Sequence, residues 1–133
     1  MSWKAICIAA LAVALINTAA DARPLKPAEE RRIKPSGTPL KCITIGAIRS
    51  THVRNDRTID FYMKGDKVYR SRLPRRCMGL TAEERFSFTT DLPQICYVDS
   101  ITVLRGAGTA NGATCQLGRF QPVIGAPRQP RSH

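Results

Sequence analysis

The stretch TIDFYMKGDKVYR, residues 58–70, decides the fold that the sequence predicts. Its first half alternates apolar side chains with Asp60 and Tyr62. The apolar set consists of Ile59, Phe61 and Met63. A two-residue period is typical of a strand with one face in a core, and Gly65 and Asp66 then favour a tight turn. Residues 58–70 are therefore predicted to form a β-hairpin.

Further strand signals lie on both sides of this hairpin. They cover residues 43–47, 86–88, 101–103 and 115–123. Asn55-Asp56 marks the turn into the hairpin, and residues 81–84 have the Thr-x-x-Glu pattern of a capped helical turn. About six short strands joined by tight turns predict a mainly β domain with one short helical turn. The pattern is consistent with either a small antiparallel barrel or a sandwich.

The two ends of the chain are predicted to lie outside this domain. Lys4, the apolar run 5–16 and Ala20-Asp21-Ala22 have the three parts of a secretory signal peptide, so we expect residues 1–22 to be cleaved. Such a run is too short to cross a bilayer, and the mature chain shows no other candidate. The remaining boundaries are a Pro-rich basic linker at 23–40, the β-rich domain at 41–124 and a disordered basic tail at 125–133. We therefore expect a periplasmic or extracellular protein.

Beyond Cys7 in the signal peptide, the cysteines form an even set. They are Cys42, Cys77, Cys96 and Cys115. An even set in a small exported domain predicts a framework of two disulfides. The spacing contains neither the close pairs of a zinc module nor the C-x-x-C of a redox site. No metal ligand set and no cofactor motif are predicted.

Four cysteines allow three pairings, and strand register favours one of them. If residues 100–104 pair end to end with 114–118 as a hairpin, Cys96 lies about 20 Å along the strand from Cys115, too far for a disulfide. Closing a barrel would bring the first strand, which begins at Cys42, beside the last. The predicted bridges are Cys42–Cys115 and Cys77–Cys96.

Several short motifs occur in one order along the domain. They are DRTIDF (56–61), VYR (68–70), LPRRC (73–77), FSF (86–88), DSITVL (99–104) and CQLGRF (115–120). Over about residues 41–123, the chain resembles a family of small exported proteins of unknown function from Gram-negative bacteria. The resemblance implies a periplasmic setting and four framework cysteines, and it brings no catalytic residue.

The chain is strongly basic, with a formal net charge of +11. Removal of residues 1–22 leaves this charge unchanged, because the segment holds one lysine and one aspartate. A basic protein has affinity for polyanions, here lipopolysaccharide, anionic lipid, acidic glycan or nucleic acid. In an exported protein the envelope surface is nearer than nucleic acid. Charge that serves solubility alone is the alternative.

The densest basic stretch is KVYRSRLPRR, residues 67–76. An arginine fork can bind phosphate or carboxylate, and a tyrosine can stack on a base or a sugar. The predicted anion-binding patch consists of Lys67, Tyr69, Arg70, Arg72, Arg75 and Arg76. The alternative is a solvated strand face with Tyr69 packed inward.

No residue of the sequence belongs to a strong catalytic motif. His52 is a weak candidate for a general base, and its alternative is a solvent-facing strand residue. Asp56, Asp60 and Asp66 lack the spacing of a calcium loop. The glycine-rich stretch 106–112 lacks the Gly-Lys-Ser/Thr ending of a P-loop and is predicted to be a flexible hairpin loop.

These observations favour an exported, non-enzymatic envelope protein with a polyanionic partner. Two alternatives stay open at the level of sequence. One is a small secreted hydrolase or nuclease that uses His52, and the other is an inhibitor of a secreted enzyme. The sequence predicts no cofactor and leaves the oligomeric state undecided.

Overall fold

The computed structural model describes residues 24–106 and 111–128. The predicted signal peptide, residues 107–110 of the glycine-rich loop and residues 129–133 of the predicted tail lie outside the described residues. Within the described part, the chain is mainly β and antiparallel, as predicted.

The domain contains many short strands and two short helices. The strands are β1 (Lys34–Pro35), β2 (Cys42–Thr44), β3 (Ile48–Asn55), β4 (Thr58–Met63), β5 (Val68–Arg72), β6 (Phe86–Phe88), β7 (Gln94–Cys96), β8 (Ser100–Val103), β9 (Thr114–Gln116) and β10 (Phe120–Ile124). The helices are α1 (Pro27–Arg32) and α2 (Leu80–Glu83), and a 3₁₀ turn covers Ile45–Ala47. The strand count exceeds the predicted six because several strands have only two or three residues.

The strands are divided among three antiparallel sheets. The largest has the order β1-β10-β5-β4-β3, and the smaller two are β2-β7 and β6-β8-β9. The described strands leave these sheets separate, so the arrangement is sandwich-like and not the closed barrel that was one of the two predicted architectures.

The β-hairpin predicted over residues 58–70 is confirmed. β4 pairs with β5, with Phe61 opposite Tyr69, and the Met63 N–H donates to the Lys67 carbonyl at 2.8 Å. Gly65 and Asp66 both have left-handed backbone angles, with φ of 85° and 62°. Glycine adopts this conformation freely and aspartate tolerates it, which explains why this dipeptide makes the turn.

The core lies between the hairpin and the smaller sheets. Phe61 lies at its centre, with its ring edge-on to Phe120 at 5.3 Å and to Phe86 at 6.5 Å between centroids. Because β10 carries Phe120 and β6 carries Phe86, this aromatic group joins the largest sheet to the three-stranded one. Other fully buried members are Ile59, Leu73, Leu80, Ile95, Ile101 and Val103.

Within the segment 23–40, which the sequence predicts to be a linker, residues 27–35 form a short helix and an edge strand. Pro27 occupies the first position of α1, where its missing N–H costs no helix bond. Glu29 accepts from the Lys26 N–H at 2.9 Å and satisfies the helix start. The chain then pairs with the last strand through Pro35 opposite Val123. Pro27 therefore begins the helix and Pro35 lies in an edge strand, two positions where proline is tolerated.

The helical turn after β5 forms, but not through the predicted capping box. The N-cap of α2 is Gly79, so Thr81 lies inside the helix. The Thr81 N–H and hydroxyl both donate to Asp56 Oδ1, at 3.0 and 2.6 Å. Glu84 follows the helix with a left-handed φ of 56°. The turn is therefore anchored to Asp56 at the β3–β4 corner rather than by a capping box within the helix.

Both disulfides form, and the predicted pairing is wrong. The bridges are Cys42–Cys96 and Cys77–Cys115. The prediction assumed that the first strand pairs with the last, as in a barrel. Instead β2 pairs with β7, which places Cys42 directly opposite Cys96 with 4.0 Å between the Cα atoms. Cys115 is left to reach Cys77, which follows β5.

The hairpin of β8 and β9 forms with a shifted register. Ser100 lies opposite Gln116 and Thr102 opposite Thr114, two residues from the predicted end-to-end alignment of 100–104 with 114–118. An even shift keeps each side chain on its expected face, because side chains alternate with a period of two. The expectation that Cys96 does not bridge Cys115 holds.

Candidate functional site

Polar residues of the hairpin collect on the outer face of the largest sheet. In β4, Asp60 and Tyr62 alternate with the core-facing residues and point to the opposite face. All six residues of β4 are nonetheless buried. Glu30 of α1 binds Arg70 on this face, and the carbonyl of Pro127 accepts from the Tyr62 hydroxyl at 2.9 Å. Segments from both ends of the chain therefore cover a face that is polar by sequence.

Asp60 is fully buried between two arginines. Its Oδ2 accepts from Arg54 Nε at 2.9 Å and from Arg70 Nη2 at 3.0 Å, and its Oδ1 accepts from Arg70 Nε at 2.7 Å. The terminal nitrogens of Arg70 also bind the carboxylate of Glu30. Two arginines and two carboxylates balance one another, so this buried network presents no net charge to a partner.

The protonation states agree with this balance. Burial alone would lower the pKa of Arg70, but its hydrogen bonds to Asp60 and Glu30 outweigh burial and raise the pKa above the ordinary arginine value. Burial raises the pKa of Tyr62, so its hydroxyl stays protonated and can donate to Pro127 while accepting from Arg54 Nη2 at 2.8 Å. The network is therefore a fixed structural element.

A cleft of about 380 Å³ opens beside this network, between the chain segment 33–39 and the strands β5 and β10. Its polar lining consists of Arg70, Arg72, Arg119 and Gln121. Its apolar lining consists of Ile33, Pro35, Pro39 and Val123. We call this site the Arg cleft. Its size falls within the range of sites for small molecules and cofactors.

The segment 33–40 forms one wall of the Arg cleft, because the chain leaves the sheet after Ser36 and returns to it at Leu40. The Ser36 N–H donates to the Pro122 carbonyl at 2.8 Å, and the Leu40 N–H donates to the Phe120 carbonyl at 2.8 Å. Between these points the chain bows outward, with Gly37 in the left-handed region at φ 87°. The bow is held by a hydrogen bond from Gln121 Nε2 to the Gly37 carbonyl at 3.0 Å.

Two arginines of the Arg cleft keep their charge available. β10 and β5 pair as far as Phe120 and Ser71, and the next residue of each segment, Arg119 and Arg72, lines the Arg cleft. Both are exposed, and no hydrogen bond or ion pair to any described residue engages either guanidinium group. The Arg119 guanidinium lies 4.9 Å from the centroid of the Tyr97 ring. This cation–π contact orients the group without neutralising it.

The structure divides the predicted anion-binding patch. Arg72 faces the Arg cleft. Arg70 also lines it, but Arg70 is buried and its charge is neutralised by carboxylates. Tyr69 lies on the opposite face of β5 and packs against the core, as the alternative interpretation has it.

The remaining basic members of the patch lie outside the Arg cleft. Lys67 and Arg75 are exposed, the first at the hairpin turn and the second after β5. Arg76 is paired with Asp56, with 2.9 Å between Nε and Oδ2. Sequence reasoning missed Arg119, although it immediately precedes Phe120 in the motif CQLGRF and shares the outer face with Gln121 by alternation.

His52 lies opposite a carboxylate that two arginines already bind. It is half-buried on β3, with its ring edge-on to Tyr62 at 5.2 Å between centroids. Asp60 is opposite His52 in the strand register, yet Arg54 and Arg70 occupy both of its oxygens. A catalytic pair needs a second proton carrier within hydrogen-bond reach, and this carboxylate is already fully engaged.

The three aspartates lie in separate environments. Asp56 holds α2, and its hydrogen bonds from the Thr81 hydroxyl and N–H, with help from Arg76, hold its pKa below the usual value. Asp66 lies at the hairpin tip, with 3.9 Å between its Oδ1 and Arg49 Nη1, and it is almost fully exposed. Across residues 24–106 and 111–128, no group of three or more His, Cys, Asp or Glu side chains could hold a metal ion.

No protein-family model, curated protein or solved structure matches the chain. In the part of the chain that the structure describes, no helix has the length and apolar character needed to cross a membrane.

Proposed function

We propose that the chain is an exported binding protein that acts without catalysis and holds an anionic partner at the Arg cleft. The observation that carries this proposal is that Arg72 and Arg119 both line one concave site and that neither forms an ion pair with a described residue. Two like charges that line one site repel each other, and a bound anion relieves that repulsion. Arginine forks also match the oxygens of phosphate and carboxylate groups.

The surroundings of the Arg cleft support the same partner class. A net charge of +11 attracts anions over distances of about a Debye length, roughly 8–10 Å at physiological salt. The partner classes in question are lipopolysaccharide, anionic lipid, acidic glycan and nucleic acid. An exported protein meets the envelope surface before it meets nucleic acid. Because this surface carries lipopolysaccharide and anionic lipid, these two partner classes are favoured.

The other hypotheses have less support. A hydrolase using His52 lacks a free proton partner, because Asp60 is bound by two arginines. An inhibitor role would need a presented loop, and residues 107–110 of the candidate loop lie outside the described residues. The resemblance to small exported Gram-negative proteins is consistent with the proposed function and assigns no ligand.

Export itself is testable. The n-region, the apolar run and Ala20-Asp21-Ala22 predict that protein recovered outside the cytoplasm begins at Arg23, or at Asp21 if Thr18-Ala19-Ala20 is used instead. N-terminal sequencing of the periplasmic and cytoplasmic fractions decides the matter. Intact Met1 confined to the cytoplasm would contradict the proposal.

Binding through the Arg cleft predicts a site-dependent loss. Arg72→Gln with Arg119→Gln should weaken binding to lipopolysaccharide, phosphatidylglycerol vesicles, heparin or duplex DNA by at least tenfold for the partner that occupies the site. For duplex DNA, the slope of log affinity against log salt should fall by about 1.8, or about 0.9 for each lost phosphate contact. Titration calorimetry at several salt concentrations gives both quantities.

The matched control removes the same charge elsewhere. Lys67→Gln with Arg75→Gln also deletes two exposed cations, but neither residue lines the Arg cleft. We expect less than a threefold loss for this control, since only the general field of the protein changes. Equal losses in the two double variants would mean that binding is non-specific and that the proposed function is wrong.

A further inference from the structure

The Arg cleft has a charged end and an apolar end. Arg119 and Arg72 line one end, and Val123 lies opposite Pro35 at the other. Val123 follows Arg119 by four positions, which corresponds to about 13 Å at roughly 3.3 Å per residue. The lining therefore changes from cationic to apolar along the length of the site.

The apolar end is a formed surface and not an exposed patch. Ile33 and Val123 are each only 9% exposed, so they form its floor, and Pro35, which pairs with Val123, forms its wall. Prolines hold a fixed backbone angle and lose little freedom when a ligand binds. A ligand that lies on this floor would remove apolar surface from water, which favours binding.

The charged end selects for a single anionic group. Arg70 faces the same cleft, but Asp60 and Glu30 satisfy its guanidinium group, so the free charge is confined to Arg72 and Arg119. Two guanidinium forks suit one carboxylate or one phosphate head. A linear polyanion such as DNA has no apolar body for the other end of the site.

We infer that the Arg cleft binds an amphiphilic anion, with one carboxylate or phosphate head at Arg72 and Arg119 and an apolar chain along β10 towards Val123 and Pro35. This inference rests on the proposed function and names the class of ligand for the same site. The head chemistry is common to fatty acids and to phosphate-bearing lipids.

The test uses soluble probes, namely octanoate, decanoate and decyl phosphate below their micelle concentrations, with decanol and decyltrimethylammonium as the uncharged and cationic counterparts. The mature chain, ¹⁵N-labelled, is titrated and followed by amide chemical shifts and by calorimetry. We expect shifts centred on Ile33, Gln121 and Val123. Decanoate should bind more tightly than octanoate by up to about fourfold for each added methylene.

Variants locate the head and the chain. Arg72→Gln with Arg119→Gln should lower decanoate affinity at least tenfold, and Arg72→Lys with Arg119→Lys should recover part of it because charge is restored without the fork. Pro35→Asn at the apolar end should weaken the gain per methylene and leave the salt dependence unchanged. The Lys67→Gln, Arg75→Gln control should bind decanoate like the wild type.

Three outcomes would overturn the inference. Decanol binding as tightly as decanoate would remove the role of the arginines, and shifts centred elsewhere would remove the site. Failure of every amphiphile, while heparin or lipopolysaccharide binding still depends on Arg72 and Arg119, would reject this ligand class and leave the proposed function standing. A preference for decyl phosphate over decanoate would identify a phosphate-bearing head, and the reverse would identify a carboxylate.

Discussion

Replacing Asp60 with alanine should lower the free energy of unfolding by about 3–5 kcal/mol, the usual cost of removing one partner from a buried ion pair. Asp60 is completely buried, and its carboxylate accepts hydrogen bonds from both Arg54 and Arg70. Without it, Arg54 loses its carboxylate partner and Arg70 retains only Glu30. Because a domain of this size is stable by only about 5–15 kcal/mol, the variant should be marginal or unfolded. Urea denaturation followed by circular dichroism measures the change.

The same hairpin contains a matched control. Asp66→Ala removes an aspartate whose side chain is 95% exposed and only loosely paired with Arg49. Surface ion pairs contribute about 0–1 kcal/mol, so this variant should unfold within about 1 kcal/mol of the wild type. If Asp60→Ala were as mild as Asp66→Ala, the buried network would not stabilise the fold, and its residues would become candidates for another role.

The hairpin could be predicted because its signal is local. The alternation in β4 and the Gly65-Asp66 turn lie within thirteen consecutive residues. What the alternation could not reveal is that the outer face of β4 is buried as well. Asp60 and Tyr62 looked like solvent-facing residues, because polar residues on alternate positions are ordinarily solvated. Burial of this face depends on segments from both ends of the chain, which no local pattern records.

The disulfide pairing depends on strand order and for that reason escaped prediction. Cys42 meets Cys96 only because β2 and β7 form a small separate sheet. Each of these strands has three residues, too few for a periodic signal to indicate its neighbour. The even number of cysteines indicated two bridges, whereas their connectivity required the tertiary structure.

The Arg cleft was predicted in part. Arg72 belonged to the basic stretch 67–76, but its partner Arg119 comes from the far side of the domain in sequence. The apolar wall comes from a segment that its prolines suggested was a linker. A composition rich in proline is typical of linkers, yet Pro27 and Pro35 occupy the helix start and the edge strand where proline is tolerated.

Removing either disulfide should cost a large part of the stability of the domain. Replacing both cysteines of a bridge with alanine should lower the free energy of unfolding by about 4 kcal/mol in each case, because the closed loops have similar lengths of 54 and 38 residues. The Cys77–Cys115 variant should lose more, since Cys77 is fully buried and its loss leaves a gap in the core. Urea denaturation of the two double variants gives the comparison.

The connectivity behind this prediction can be read from one digest. Trypsin cleaves after Lys41, Arg49, Arg76, Arg85, Arg105 and Arg119, which places each of the four cysteines in a different peptide. Without reductant, peptide 42–49 should be linked to 86–105, and peptide 77–85 to 106–119. A link between 42–49 and 106–119 would restore the barrel-type pairing and contradict the separate sheet of β2 and β7. The two bridges tie different sheets. If only one of the two double-cysteine variants lost stability, only the sheet tied by the missing bridge would depend on its disulfide.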